Sequence, residues 1–199
     1  RQDTEAFWAT LHNDYFLRNE PFYLAWHVIS LRECSALNLP LVASRYSERL
    51  EANMFFVVAP ASTELLTRAT HAFDDADLNI IEARMQVTIH GLALFSFNAI
   101  ATDNTNVKDR QYLDRLERQL RRTILRSDKS KLISRKKASR ALKHFPIKPV
   151  VKFSFSHPKL TTMEVLAQDQ PGLLHNVALI LQRHQILLVN ARIATFGER

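Results

Sequence analysis

The sequence predicts an α+β protein, with two tandem βαββαβ units behind a short helical segment and the second unit incomplete. Three observations predict it. Short apolar or alternating runs are separated by amphipathic helical stripes. From residue 51 the signals run strand, helix, strand, strand, helix, strand, the ferredoxin-like split βαβ order. A constant shift of 108 residues then lays Leu65-Leu66 on Leu173-Leu174, Ile81 on Val189, Ala83-Arg84 on Ala191-Arg192 and Met85 on Ile193, the mark of an internal repeat.

The elements follow in order. Phe7, Trp8, Leu11, Tyr15 and Phe16 recur at helical spacing. Asn19 and Pro21 read as a helix stop and a new start. Residues 22–31 are almost wholly apolar around Trp26, which predicts a helix buried on most sides. Trp8, Trp26 and His27 are expected in the core. Residues 1–50 are therefore a helical segment that belongs to, or follows, a preceding domain. The first unit spans 51–157. Its strands are expected at 54–58, 80–89, 92–101 and 150–155, with a turn at His90-Gly91. Its helices carry two stripes, Leu65, Leu66, Ala69, Ala72, Phe73 and Ala76, then Leu113, Leu116, Leu120 and Ile124. The second unit spans 158–199, after the turn signal His157-Pro158. It offers a strand at 161–167, a helix on Leu173, Leu174, Val177, Ala178 and Leu181, and a strand at 186–196. The missing third strand, second helix and fourth strand leave edges that a continuation of the chain or a second copy has to cover, and the open edges favour a homodimer.

Composition narrows the function. The chain has 199 residues, 46% hydrophobic and 24% charged, ordinary values for a globular protein. No apolar run approaches the roughly 20 residues that span a bilayer, and no signal peptide is visible, so a cytoplasmic location is expected. Cys34 is the lone cysteine, which excludes an intrachain disulfide framework. Three glycines, Gly91, Gly172 and Gly197, are too few and too scattered for a phosphate-wrapping loop. Metal-ligand and nucleophile motifs are missing as well. No catalytic residues and no metal ligands are expected.

The net charge is +7. Arg115, Arg118, Arg121, Arg122, Arg126, Lys129, Lys131, Arg135, Lys136, Lys137, Arg140 and Lys143 are opposed only by Glu117 and Asp128 in that stretch. The preferred reading is a solvated helix face and connector. Nucleic-acid binding is disfavoured because aromatics for base stacking are not interleaved. Electrostatic steering of an acidic protein is a third reading.

The segment Asp169-Gln170-Pro171-Gly172-Leu173-Leu174 carries the most chemistry. Pro171 suits a first helical turn. Gly172 lets the backbone approach a neighbour, and the amides after it lack helical partners, so they can hold a carboxylate. Asp169 suits an ammonium group. Capping by Asp169 or Gln170 is the plainer use, and the residues alone leave both open.

That segment, with Leu188-Val189-Asn190-Ala191-Arg192-Ile193-Ala194-Thr195 and Gly197-Glu198-Arg199, resembles an ACT domain. More narrowly, it resembles the last ACT domain of the bacterial PII-protein uridylyltransferase/uridylyl-removing enzymes. Tyr15-Phe16-Leu17-Arg18 with Ala25-Trp26-His27 resembles that family's helical segment before the first ACT domain. Leu78-Asn79-Ile80 with Ala83-Arg84 resembles the first ACT domain, and His144-Phe145-Pro146 resembles the connector. The resemblance implies a regulatory, non-catalytic region that senses an amino acid, expected to be glutamine. The parent enzyme attaches UMP to the PII nitrogen-signalling protein and removes it. It implies no cofactor in this stretch and magnesium for the parent. The implied ligand residues are Asp169, Gln170, Gly172, Leu173, Leu174, Asn190 and Ala191. The removal chemistry of that family needs an adjacent His-Asp pair, and no histidine here precedes an aspartate. In the first unit Ala61, Ser62, Thr63 and Glu64 stand where the second has Asp169 to Gly172, and Glu82 stands for Asn190. That unit is expected to be weakened as a ligand site. The alternatives are an ACT sensor for another amino acid on a different enzyme, and a basic module that binds nucleic acid or protein.

Overall fold

The computed structural model describes residues 9–11, 13–32, 39–102, 108–125, 148–170 and 172–195. Phe7, Trp8, Cys34, Pro171, the basic stretch from Arg126 to Lys143, the His144-Phe145-Pro146 connector and the final Gly197-Glu198-Arg199 lie outside them. The chain divides into two compact units, one of Arg1–Ser134 with Leu174–Arg199, the other Arg135–Leu173.

Among the described residues the first unit's first helices are α1 (Asn13–Arg18) and α2 (Pro21–Arg32). Pro21 begins α2 because its missing N–H is no loss in a first turn. The α2 helix does not match the expectation of burial on most sides. Tyr23, Trp26, His27 and Ser30 are buried, whereas Phe22 and Ile29 are exposed. The apolar run covers one face of a sheet and leaves its back to solvent.

That sheet has five strands in the order β1-β2-β4-β3-β7. They are β1 (Leu41–Ser47), β2 (Ala52–Pro60), β3 (Leu78–Val87), β4 (Leu92–Ala101) and β7 (Asn190–Ala194), all paired antiparallel. Helix α3 (Leu65–Asp75) joins β2 to β3, and α4 (Arg110–Leu125) follows β4. The second unit holds β5 (Val150–His157) and β6 (Leu160–Leu166), paired as an antiparallel hairpin. Helix α5 (Leu173–Arg183) runs into the first unit and precedes β7.

Alternation in the strands separates two cores. Phe55, Val57, Ala83, Met85, Phe95 and Phe97 face α3 and α4, where Leu65, Leu66, Phe73, Leu113, Leu116 and Leu120 meet them. Met54, Phe56, Val58 and Leu94 face the other way, onto Leu11, Tyr15, Tyr23 and Trp26. Both faces of β2 and β4 are covered, which is why Met54 to Ala59 reads as an unbroken apolar run. Each fully buried large side chain contributes about 1.5–3 kcal/mol relative to leaving it exposed.

Three expectations need correction. Residues 1–50 are not wholly helical, since β1 lies at 41–47. The strand at 150–155, expected as the fourth of the first unit, pairs with β6, and β1 takes the edge beside β2. The cause is proximity along the chain. Ser47 opposes Ala52 across a four-residue turn that closes with Glu51 at φ 48°, and a short loop costs less closure entropy than a long one. The last strand is shorter than 186–196, covering only Asn190–Ala194.

The 108-residue shift describes the structure better than the proposed boundaries do. It carries α3 (Leu65–Asp75) onto α5 (Leu173–Arg183) residue for residue. It carries the β1–β2 hairpin onto the β5–β6 hairpin, with pairing offset by one residue, and β3 onto β7. Each repeat therefore starts with a hairpin, at Leu41 and at Val150, instead of at 51 and 158. Among the described residues the second repeat holds counterparts of β1, β2, α3 and β3 only.

Candidate functional site

The seam between β3 and β7 joins equivalent strands of the two repeats. Glu82 opposes Ala194, Arg84 opposes Arg192 and Gln86 opposes Asn190. Arg84 and Arg192 are themselves equivalent under the repeat, so a local pseudo-twofold axis passes between them. Val87 N–H donates to Val189 O at 3.0 Å, and Thr195 N–H donates to Ile81 O at 2.9 Å. Odd-numbered β3 residues thus carry the ladder bonds. Arg84 and Arg192 form a non-hydrogen-bonded pair, where side chains come closest. Helix α5 packs on α3 beside the same axis, with Thr70 Oγ1 3.1 Å from His175 Nδ1.

On the face that carries α1 and α2, a hollow of about 240 Å³ lies beside this seam. Arg84, Gln86, Asn190 and Arg192 line it from the strands, Ser96 and Leu94 from β4, and Tyr15, Leu17 and Asn19 from the α1 region. The Arg84 guanidinium pairs with Glu82 at 2.8 Å, and Asn98 Nδ2 donates to the same carboxylate at 2.9 Å. Beneath, His27 stacks on Phe56 with ring centroids 4.0 Å apart. Its Nδ1 is 2.5 Å from Tyr15 Oη and its Nε2 is 3.0 Å from Ser96 Oγ. Burial first, then the positive charges of Arg45 and Arg84, push the imidazole down to about 3. Burial raises the Tyr15 phenol above its ordinary value. A neutral imidazole has one donor and one acceptor nitrogen, so the Tyr15 and Ser96 hydroxyls take opposite roles.

The two strand-to-helix corners differ in one informative way. Leu65 N–H donates to Ser62 O at 3.3 Å and Leu173 N–H donates to Gln170 O at 3.0 Å, the same turn in both repeats. Glu64 ends the first turn at φ −92°, whereas Gly172 ends the second at φ 78°. Only glycine takes the latter without strain. The Glu64 carboxylate is 2.5 Å from the Arg68 guanidinium. Beside the first corner Ser62, Thr63, Leu66, Met85, Leu181 and Leu188 leave about 10 Å³, room for one water at most.

The residues implied by sequence thus fall in two groups. Asn190 and Ala191 lie on β7 and line the hollow. Asp169 and Gln170 are exposed, Gly172 and Leu173 are half-buried, and these four belong to the second compact unit; Leu174, also half-buried, belongs to the first. Sequence reasoning did not single out Tyr15, Asn19, Arg84, Gln86, Ser96 or Arg192 as a site. The shift that aligns Arg84 with Arg192 was the available signal, but their facing each other requires the antiparallel seam. Among the described residues no three His, Cys, Asp or Glu side chains gather as a metal site, and no helix is long and apolar enough to cross a membrane.

Similarity to known proteins follows this architecture. The family described as "Uridylyltransferase GlnD fifth domain" matches residues 1–30. The chain is 30% identical over 193 residues to the bifunctional uridylyltransferase/uridylyl-removing enzyme of Chromobacterium violaceum, covering 96% of this chain and 22% of that protein. It is 29% identical over 202 residues to the enzyme of the same name from Pseudomonas savastanoi pv. phaseolicola, covering 99% and 22%. The Nitrosospira multiformis enzyme is 30% identical over 196 residues, covering 98% and 22%. The chain is homologous to a stretch of the bifunctional uridylyltransferase/uridylyl-removing enzymes. It spans about a fifth of the length of these relatives. No solved structure matches it. The homology runs through both repeats and through the helices that cover the seam, so the hollow lies wholly within the stretch shared with the uridylyltransferases.

Proposed function

We propose that this chain is a regulatory, amino-acid-sensing region of a bifunctional uridylyltransferase/uridylyl-removing enzyme that modifies the PII nitrogen-signalling protein. Glutamine is the proposed amino acid. The observation that carries the reading is the second corner, where Gly172 holds φ 78° immediately before α5 begins at Leu173. A left-handed residue there turns the chain without a side chain in the way; Leu173 N–H is taken by Gln170 O, and the amides that follow it in the first turn of α5 have no intrahelical acceptor. Those amides suit a carboxylate, and the exposed Asp169 suits an ammonium group. The first corner, with Glu64 at φ −92° in place of the glycine, lacks this left-handed turn. Homology to a fifth of the uridylyltransferase chain supports a part that acts on the rest. Regulation then follows from differential binding: glutamine stabilises one arrangement of the repeats, and that arrangement favours one activity of the parent enzyme.

The test is thermal unfolding of the full chain with a panel of amino acids. At one hundred times its dissociation constant a ligand adds about 2.7 kcal/mol, a rise of roughly 5–10 °C in Tm for a chain of this size. Glutamine is expected to give that rise, and Asp169→Ala to abolish it. The same rise in Asp169→Ala takes Asp169 out of the site. A stronger response to a different amino acid replaces glutamine as the ligand, and a flat response to all of them refutes the sensor reading.

A further inference from the structure

We infer that the hollow beside the Arg84–Arg192 pair binds a small organic carboxylate that also carries a hydrogen-bond donor. This site is separate from the corner at Asp169, and the inference does not rest on the sensor reading. Three observations converge on it. Two arginines stand directly opposite each other at the seam, an arrangement in which like charges repel. Glu82 answers one of them, pairing with Arg84 at 2.8 Å while also accepting from Asn98. Arg192 is exposed on the same face of the sheet. Among the described residues the region is thus cationic on balance, and an anion bridging the two guanidiniums relieves the repulsion.

The hollow itself is large enough for a metabolite. Its volume of about 240 Å³ compares with the roughly 10–15 Å³ that on the same measure holds one water. Its lining also holds two buried polar atoms without a partner, Gln86 Nε2 and Asn19 Oδ1. Gln86 is only 7% exposed. Buried amides of this kind are paired in nearly all folded proteins, so an unpaired donor and an unpaired acceptor in two residues that line one hollow suit an occupant toward which those side chains turn. Gln86 Nε2 donates and Asn19 Oδ1 accepts. A carboxylate pairs with Arg192, accepts from Gln86 and lies beside Arg84, which keeps its Glu82 partner, and a hydroxyl or amino group on the same molecule satisfies Asn19. A 2-hydroxy or 2-amino dicarboxylate has both.

The experiment is titration calorimetry of the full chain with L-malate, L-glutamate, glutarate and sulfate. L-Malate or L-glutamate is expected to bind more tightly than glutarate, which has no donor for Asn19. Losing one charge-assisted contact in Arg192→Gln weakens that binding roughly tenfold or more. Gln86→Met, of similar length, weakens it as well. Asp169→Ala leaves it unchanged, which separates this site from the proposed glutamine corner. Without ligand, Arg192→Gln raises Tm because the opposed charges are gone, and a lowered Tm contradicts the charge argument. Binding of sulfate as tightly as of the carboxylates marks an adventitious ion only and overturns the inference. So does no binding by any carboxylate to the folded chain, or unaltered affinity in Arg192→Gln.

Discussion

Acid is expected to weaken the first unit through His27, well above the range where carboxylates titrate. In the folded chain burial holds this imidazole down to about 3, against an ordinary value of about 6.5 when unfolded. Between those values the unfolded chain binds a proton that the folded chain refuses. Stability from this group is therefore complete above about pH 6.5 and declines as pH falls toward 3. For one such proton the loss between about pH 7.5 and about pH 5 is about 2 kcal/mol. Structure explains why the fold cannot easily accommodate the charge. The ring is 1% exposed, stacks on Phe56, touches the Tyr15 and Ser96 hydroxyls and lies near Arg45 and Arg84. The assay is urea unfolding followed by fluorescence of Trp26, whose ring centroid is 5.6 Å from that of His27, in a Trp8→Phe background. His27→Phe is the control. It keeps the stack but strands two hydroxyls, so it starts about 1–3 kcal/mol less stable and shows a flatter pH response. A wild-type stability that is level between about pH 7.5 and about pH 5, or an equal slope in His27→Phe, refutes the reasoning.

Two further outcomes follow from single contacts. Glu117 accepts from Ser44 N–H and Ser44 Oγ–H, both at 2.7 Å, and from Arg110 Nη2 at 3.1 Å, tying edge strand β1 to α4. Glu117→Ala is expected to cost about 1–3 kcal/mol by leaving the Ser44 amide unmatched, with faster hydrogen exchange in β1 than in β4; uniform exchange contradicts that role. Gly172→Ala forces a side chain into φ 78° and is expected to cost about 1 kcal/mol. Thermal unfolding checks it, and a gain in stability means that the corner relaxes to the conformation of Glu64.

What was legible in the sequence was whatever local spacing determines. Leu113, Leu116, Leu120 and Ile124 mark one helical face, and all four are buried. The strand at 92–101 and the His90-Gly91 turn stand where alternation and turn chemistry put them, with Gly91 at φ 75°. Strand partnership was not legible, because it depends on competition between distant segments. The β1 strand was missed for a related reason. Arg45 interrupts its apolar character, yet its guanidinium lies 3.8 Å from the centroid of Phe22 and 4.5 Å from that of Trp26, a contact invisible in a linear reading. The repeat length was readable from Leu65 and Leu173, but its phase was not, since the hairpins that open each repeat share little residue pattern. For the candidate sites, Gly172 was readable because a left-handed corner has a residue signature. The hollow was not, because its walls come from Tyr15, Leu17 and Asn19, from residues 84–86, from Leu94 and Ser96 and from residues 190–192, which meet only after the sheet has formed.

The opposed arginines give the seam an inverted response to electrolyte. Most surface charge contacts join opposite signs and loosen as dissolved ions accumulate around them. Here Arg84 and Arg192 hold opposed positions on paired strands, where like charges repel and dissolved ions screen them. Added salt dampens their repulsion and firms the junction of the two repeats, while dilution into low-salt buffer strains it.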